Sequence, residues 1–193
     1  MPSPNETEGL EFFDSLSDFR LVDDSGETVS SIDHRDARAL VVGFVDNTSP
    51  ACRRIHSALG EVAREYHRRG VSTLVVNPSV DLDPEESADA MRQVAKEAGW
   101  RFPYLVDGDQ EITRVFGVRR IPDFFVFDHN RRLAYHGRFD SGLPEVPSDG
   151  EDLREGLEAI LGHEAFVLGR PTTGDHVRWR ETPSSREPSL TVR

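Results

Sequence analysis

A thiol, a hydroxyl and a carboxylate fall within one short segment of this 193-residue chain, at Cys52, Ser49 and Asp46. Cys52 is the only cysteine. A position in the first turn of a helix, next to Arg53 and Arg54, favours the thiolate, which is the nucleophilic and redox-active form of cysteine. A serine can act as a nucleophile and an aspartate as a general base, so the segment has the residue types of a catalytic site.

Each of these residues also has a purely structural interpretation. Cys52 shares an apolar helix face with Ile55, where a free cysteine behaves as a small inert hydrophobic residue. Ser49 directly precedes Pro50, an arrangement typical of a helix N-cap. We interpret Asp46 as a solvated turn residue. Both interpretations of Cys52 stay open at this point.

The composition excludes several classes of function. The chain has 35 acidic and 23 basic residues and a formal charge of −12, which would repel the phosphate backbone of a nucleic acid. A single cysteine allows no internal disulfide and no zinc site built from cysteine pairs. The seven histidines lack the spacing of a helical metal site, so we expect neither a metal ion nor another cofactor.

The same composition bears on location and habitat. No apolar run is long enough to span a bilayer, and the start of the sequence lacks the pattern of a secretory signal, so we expect a cytoplasmic protein. Strong acidity with Lys96 as the only lysine suits a protein from high salt, because screened surfaces favour carboxylates and arginine. GC-rich coding explains the arginine bias equally well.

Hydrophobic periodicity predicts alternating strands and helices. The continuous apolar run at 39–45 indicates a strand that is buried on both faces, and residues 71–76 are predicted to form a second buried strand. A helix is expected between them from Ser49 to Gly70. We also predict a hairpin around residues 23–26, a helix from Asp83-Pro84 to Gly99, a strand at 102–106, a short helix at 110–116, paired strands at 124–127 and 133–135, and a last helix behind a Ser148–Glu151 capping box. This order predicts a three-layer α/β/α sandwich, and no glycine-rich nucleotide loop follows the first strand.

The apolar strand, the short turn and Ser49-Pro-Ala-Cys52 at the helix start resemble the thioredoxin superfamily, as does Ile121-Pro122 at the position of its cis-proline. More narrowly, the chain resembles the redoxin branch, the alkyl hydroperoxide reductase/thiol-specific antioxidant class. The stretches that carry this resemblance, in their family order, are FPYLVD (102–107), PDFFVFD (122–128), YHGRFD (135–140), GEDLR (150–154) and GDHVRW (174–179). The resemblance covers about residues 18–179 and implies a thioredoxin-like domain at 18–168. The polar composition on either side predicts a flexible lead-in at 1–17 and a tail at 169–193 that is mobile after Trp179 and partly docked through it.

The chain departs from this family at the thiols. Members often have Cys-Asn-His-Cys-Pro at the turn, where this sequence has Asp46-Asn-Thr-Ser-Pro50. They often have Gly-Cys before a final Ile-Lys-Trp, where this sequence has Gly174-Asp175, and Arg120 lies at another position that can hold cysteine. Ser49-x-x-Cys52 is also similar to the Thr/Ser-x-x-Cys of peroxiredoxins, although Val45 stands where those have proline.

Two functions follow from the resemblance. The first is a thiol oxidoreductase or antioxidant protein that acts on a peroxide or on a protein thiol or disulfide. Cys52 would be its only redox thiol, with oxidation to a sulfenic acid and reduction by an external thiol. The second is a redox-inactive binding module that has lost the chemistry but keeps the groove at the cis-proline for docking an extended segment. The residues of this groove would be Thr48, Arg120, Ile121 and Pro122.

Overall fold

The computed structural model describes residues 9–143, 145–163 and 166–180. One mixed sheet contains β1 (Arg20–Asp23), β2 (Thr28–Ser30), β3 (Ala39–Phe44), β4 (Val71–Asn77), β5 (Tyr104–Val106), β7 (Asp123–Phe127), β8 (Leu133–Gly137) and β9 (Val167–Leu168), and a second small sheet pairs β6 (Arg120–Ile121) with β10 (Asp175–His176). The helices are α1 (Pro50–His67), α2 (Ala88–Glu97), α3 (Glu111–Val115) and α4 (Glu151–Leu161). Within these residues no helix is both long and apolar enough to cross a membrane.

The strand β3 lies in the middle of the large sheet, whose order is β2-β1-β5-β4-β3-β7-β8-β9. All of its residues are buried, as its unbroken apolar sequence predicts, and it pairs parallel with β4 and antiparallel with β7. Successive side chains of β7 point to opposite faces, so Phe124 packs against Phe139 and Phe125 packs against Phe116. These aromatic pairs fill the space between the sheet and its two helix layers, and the expected sandwich forms.

The apolar face of α1 is where the sequence places it. Its buried side chains recur at spacings of three and four residues, and they are Cys52, Ile55, Leu59, Val62, Ala63 and Tyr66. The exposed face carries arginine and glutamate. Because α1 begins at Pro50, directly after the turn that follows β3, its amino end lies next to the carboxyl end of that central strand.

Several local expectations are corrected. The predicted helix from Asp83 to Gly99 is split, because Pro84–Glu86 forms a 3₁₀ turn and Ser87 then caps α2. The predicted capping box of Ser148 and Glu151 is absent, since Gly150 precedes α4 and the Ser148 hydroxyl donates to Asp140 instead (2.5 Å).

The ends of the described chain lie against the domain. In the segment that we expected to be a flexible lead-in, the Phe13 and Leu16 amides donate to the carbonyls of Leu133 and Arg131 (2.9 and 2.8 Å). Near the other end Val177 is buried, and the Arg114 guanidinium lies over the ring of Trp179. Of the residues after Trp179, for which we predicted mobility, Arg180 is described, and its amide donates to the Gln110 side chain (2.8 Å). Residues 181–193 lie outside the described residues, as do residues 1–8 of the lead-in.

Candidate functional site

The turn that follows β3 places Asp46 inside the protein. Its side chain is fully buried, so our expectation of a solvated turn residue is wrong. The carboxylate accepts hydrogen bonds from the Ser49 amide (3.0 Å), the Ser49 hydroxyl (2.8 Å) and the Ser79 hydroxyl (3.1 Å). These donors compensate for the loss of water around the charge. Asp46 is therefore a structural acceptor that fixes the turn.

Ser49 is the N-cap residue of α1 by position but not by hydrogen bonding. Its hydroxyl makes no capping bond to the helix amides, because it donates to Asp46. The free amide of Ala51 is satisfied by a distant residue instead, the carboxylate of Asp175 on β10 (3.1 Å). An acidic side chain at this end of a helix is also favoured by the helix dipole.

Glu86 is a second fully buried carboxylate next to this turn. It accepts from the amides of Asn47 (3.1 Å) and Thr48 (3.0 Å), from the Thr48 hydroxyl (2.6 Å) and from the side-chain amide of Asn77 (2.9 Å). Burial raises the pKa of Glu86, and the hydrogen bonds from Thr48 and Asn77 oppose this rise. Sequence reasoning missed Glu86, since Asp83-Pro-Glu-Glu86 reads as an ordinary acidic helix start.

Arg178 is the cation that balances these carboxylates. Its guanidinium lies 3.3 Å from Glu86, 2.7 Å from Asp83 and 4.0 Å from Asp46. It also donates to the Thr48 hydroxyl (3.3 Å). The segment that carries Arg178 is held in place by β10, which pairs antiparallel with β6, and by the Val177 amide, which donates to the Arg119 carbonyl (3.0 Å).

Cys52 lies entirely within the core, with no accessible surface. Burial raises the pKa of its thiol well above the ordinary value, and the negative charge of Asp46 raises it further. The neighbouring arginines do not offset this, because Arg53 is exposed and Arg54 pairs with Asp140. The environment of Cys52 therefore favours the neutral thiol.

An open cleft of about 550 Å³ lies beside Pro122, whose peptide bond with Ile121 is cis. Arg120 and Pro122 line it, as do the start of α1 and the residues around Gly174 and Asp175. Of the predicted groove residues, Thr48 and Ile121 do not line this cleft. The Thr48 hydroxyl donates to Glu86, and Ile121 is fully buried with its backbone paired to Asp175.

The chain matches the model of the redoxin family over residues 14–150. The chain belongs to the redoxin family. It is similar in structure to a hypothetical protein from Sinorhizobium meliloti 1021, with 30% identity, a TM-score of 0.85 and coverage of 91% of this chain and 98% of the other. An uncharacterized conserved protein from Geobacillus kaustophilus has 28% identity, a TM-score of 0.83 and coverage of 89% and 94%.

Among relatives with a named activity, the thiol-disulfide oxidoreductase ResA of Bacillus cereus is 22% identical over 157 residues, which are 81% of this chain and 80% of that protein. The thioredoxin-like α/β fold expected for this redoxin is thereby confirmed, and so is its place in a thioredoxin-like redox family.

The positions at which the resemblance predicts a cysteine hold Asp46, Ser49 and Asp175, and all three of these side chains are hydrogen bonded. Asp46 and Ser49 bind each other, and Asp175 binds the helix. Arg120, at the fourth position, donates to the Gly174 carbonyl (2.7 Å). Across the described ranges, no group of three or more His, Cys, Asp or Glu side chains is placed to hold a metal ion.

Proposed function

We propose that this redoxin is a redox-inactive binding module, and that the cleft beside Pro122 is its binding site. The observation that carries the proposal is the pairing of Ser49 with Asp46 at the turn where family members often have two cysteines. Thiol–disulfide exchange needs a thiolate that attacks a disulfide sulfur, and neither a carboxylate nor a hydroxyl can form or resolve the mixed disulfide. The hydrogen bonds give these two side chains a structural role in place of a chemical one.

The remaining thiol supports the same proposal. A peroxidase or oxidoreductase cysteine is a thiolate of lowered pKa that its substrate can reach. Cys52 has the opposite properties, because it is fully buried and its pKa is raised. Its position on the apolar face of α1 is that of a core residue.

The cleft supports the binding part of the proposal. Its volume of about 550 Å³ lies within the range of small-molecule sites. Apolar side chains such as Ile55 and Phe139 line it together with polar groups such as Arg120 and Thr172, which is the usual character of such sites. A protein that has lost the family chemistry can still use a site of this kind, because function depends on the site and not on the fold.

The name of the relative ResA favours the competing function, a thiol oxidoreductase that uses Cys52. The two functions are separated by assays of peroxide consumption and of insulin disulfide reduction, each with dithiothreitol as the reductant. We expect wild type and Cys52→Ala to give equal rates at the level of the protein-free background. Consumption of peroxide by wild type, and not by Cys52→Ala, would overturn the proposal.

A further inference from the structure

We propose that the cleft beside Pro122 binds a small organic anion, and that the Arg120 guanidinium holds its carboxylate or phosphate group. This inference rests on the proposed function, since it takes the cleft to be a binding site. It goes further by naming the chemical class of the ligand. Some hydrogen-bonding groups of the cleft are already bonded within the protein, and others remain available to a ligand.

Both carboxylates that line the cleft already accept hydrogen bonds from groups within the protein. Asp140 accepts from the Arg54 guanidinium, from the Gly142 amide (3.0 Å) and from the Ser148 hydroxyl (2.5 Å). Burial raises the pKa of Asp140, but these donors outweigh burial and the pKa is lowered. Asp175 accepts from the amide at the start of α1. Asp140 and Asp175 therefore stabilise the fold and do not bind a ligand.

The hydrogen-bonding groups of the cleft that remain available to a ligand are donors. A guanidinium has five N–H groups, and in Arg120 the bond to the Gly174 carbonyl (2.7 Å) uses only one nitrogen. Among the described residues, no carboxylate lies within ion-pairing distance of Arg120. Arg138 also lines the cleft, and its Nε donates to Asp152 (2.6 Å). That bond uses one of the five N–H groups of the guanidinium.

A site with spare guanidinium donors and no spare carboxylate selects a ligand that accepts hydrogen bonds. Carboxylate and phosphate match a guanidinium best, because each can accept two parallel N–H bonds from it. The half-buried position of Arg120 strengthens such a bond relative to one on the open surface. In a chain with a formal charge of −12, anions would not collect at an arbitrary surface site.

The apolar lining residues and the volume of the cleft indicate a small organic molecule. The lining includes Pro50, which is exposed, and the buried side chains of Ile55, Pro122 and Phe139 behind it. An extended protein segment is disfavoured, because the backbone of Arg120 and Ile121 already pairs with β10. A segment docking there as a strand would first have to displace the protein's own residues 175–177.

The test is a titration followed through two-dimensional amide NMR spectra of the full chain, with succinate and inorganic phosphate as anionic probes and succinamide as the uncharged match for succinate. We expect succinate, phosphate or both to shift the amide signals of Ala51 and Gly174, without shifting that of Gly26 in the distant β1–β2 turn. In Arg120→Gln the affinity should fall by about 10-fold or more, the loss typical of one charge-assisted hydrogen bond. In Arg119→Gln, which removes the same charge from the exposed neighbouring residue, the affinity should be unchanged.

Three results would overturn the inference: no shift with either anion, binding of succinamide as tight as that of succinate, or equal losses in the two variants. Arg120→Lys is the second variant, in case Arg120→Gln does not fold. It keeps the positive charge, so its affinity for the anion should lie between those of wild type and Arg120→Gln. Failure of this inference and failure of the proposed function give different results. If succinamide binds tightly to a protein without redox activity, the proposed binding function stands and only the anionic ligand class is refuted. If the protein consumes peroxide through Cys52, the proposed binding function is refuted.

Discussion

Replacing Glu86 by alanine is expected to lower the free energy of unfolding by about 3–5 kcal/mol, the cost of breaking a buried, paired charge. The reason is that two backbone amides, those of Asn47 and Thr48, and the side chain of Asn77 all donate to this one carboxylate. Without it these donors would be buried and unsatisfied, and Arg178 would lose its closest contact to the fully buried carboxylates. Urea unfolding at pH 7, followed by circular dichroism, measures the change.

The adjacent residue supplies the matched control. Glu85 is exposed and its side chain makes none of these contacts, so Glu85→Ala should change stability by no more than about 0.5 kcal/mol. Glu86→Gln keeps the shape and one acceptor oxygen and should fall between the two. If Glu86→Ala is no more destabilising than Glu85→Ala, then Glu86 does not organise the turn as described.

Replacing both Asp46 and Ser49 by cysteine is expected to restore a disulfide at the turn. The two side chains already meet in a 2.8 Å hydrogen bond, so the cysteines should be close enough to join. Oxidation should remove about 2 Da as the S–S bond forms. For the short loop that it closes, the disulfide should stabilise the oxidised form by about 2 kcal/mol relative to the reduced form. Intact-protein mass spectrometry and urea unfolding, with and without dithiothreitol, measure both effects.

The double substitution is best made in the Cys52→Ala background, so that every thiol counted belongs to the new pair. Ser49→Cys alone in that background is the control, since it has no intramolecular partner and should keep one free thiol. Reduced thiols that persist in the double variant after oxidation, in a protein that otherwise folds, would mean that positions 46 and 49 do not correspond to the family's cysteine pair.

The elements around the site could be predicted from the sequence because their patterns are local. The apolar run of β3 and the three- and four-residue spacing of α1 depend on neighbouring residues only, and both elements form where expected. The same spacing placed Cys52 on the apolar face of α1, and its complete burial follows from that face packing against the sheet.

The polar contacts of the site could not be predicted, because distant parts of the chain decide which of the polar groups are buried and so which contacts form. Ser49 and Ser148 both looked like helix caps, yet each hydroxyl donates to a buried aspartate that needs donors more than the exposed helix end does. Asp46 looked solvated because its own segment offers little besides Ser49 to cover it. Its cover comes from Ser79, and its nearest cation is Arg178, far along the sequence.

The rate at which the Cys52 thiol is alkylated shows whether it is a structural or a reactive thiol. Wild-type protein in native buffer is treated with iodoacetamide between pH 6 and pH 9, and the rates are compared with those in guanidinium chloride. We predict native labelling that is at least about 100-fold slower than in the unfolded chain, with no titration of the thiol below pH 9. Rapid native labelling that titrates with a pKa below about 7 would contradict the account and identify Cys52 as a reactive thiol.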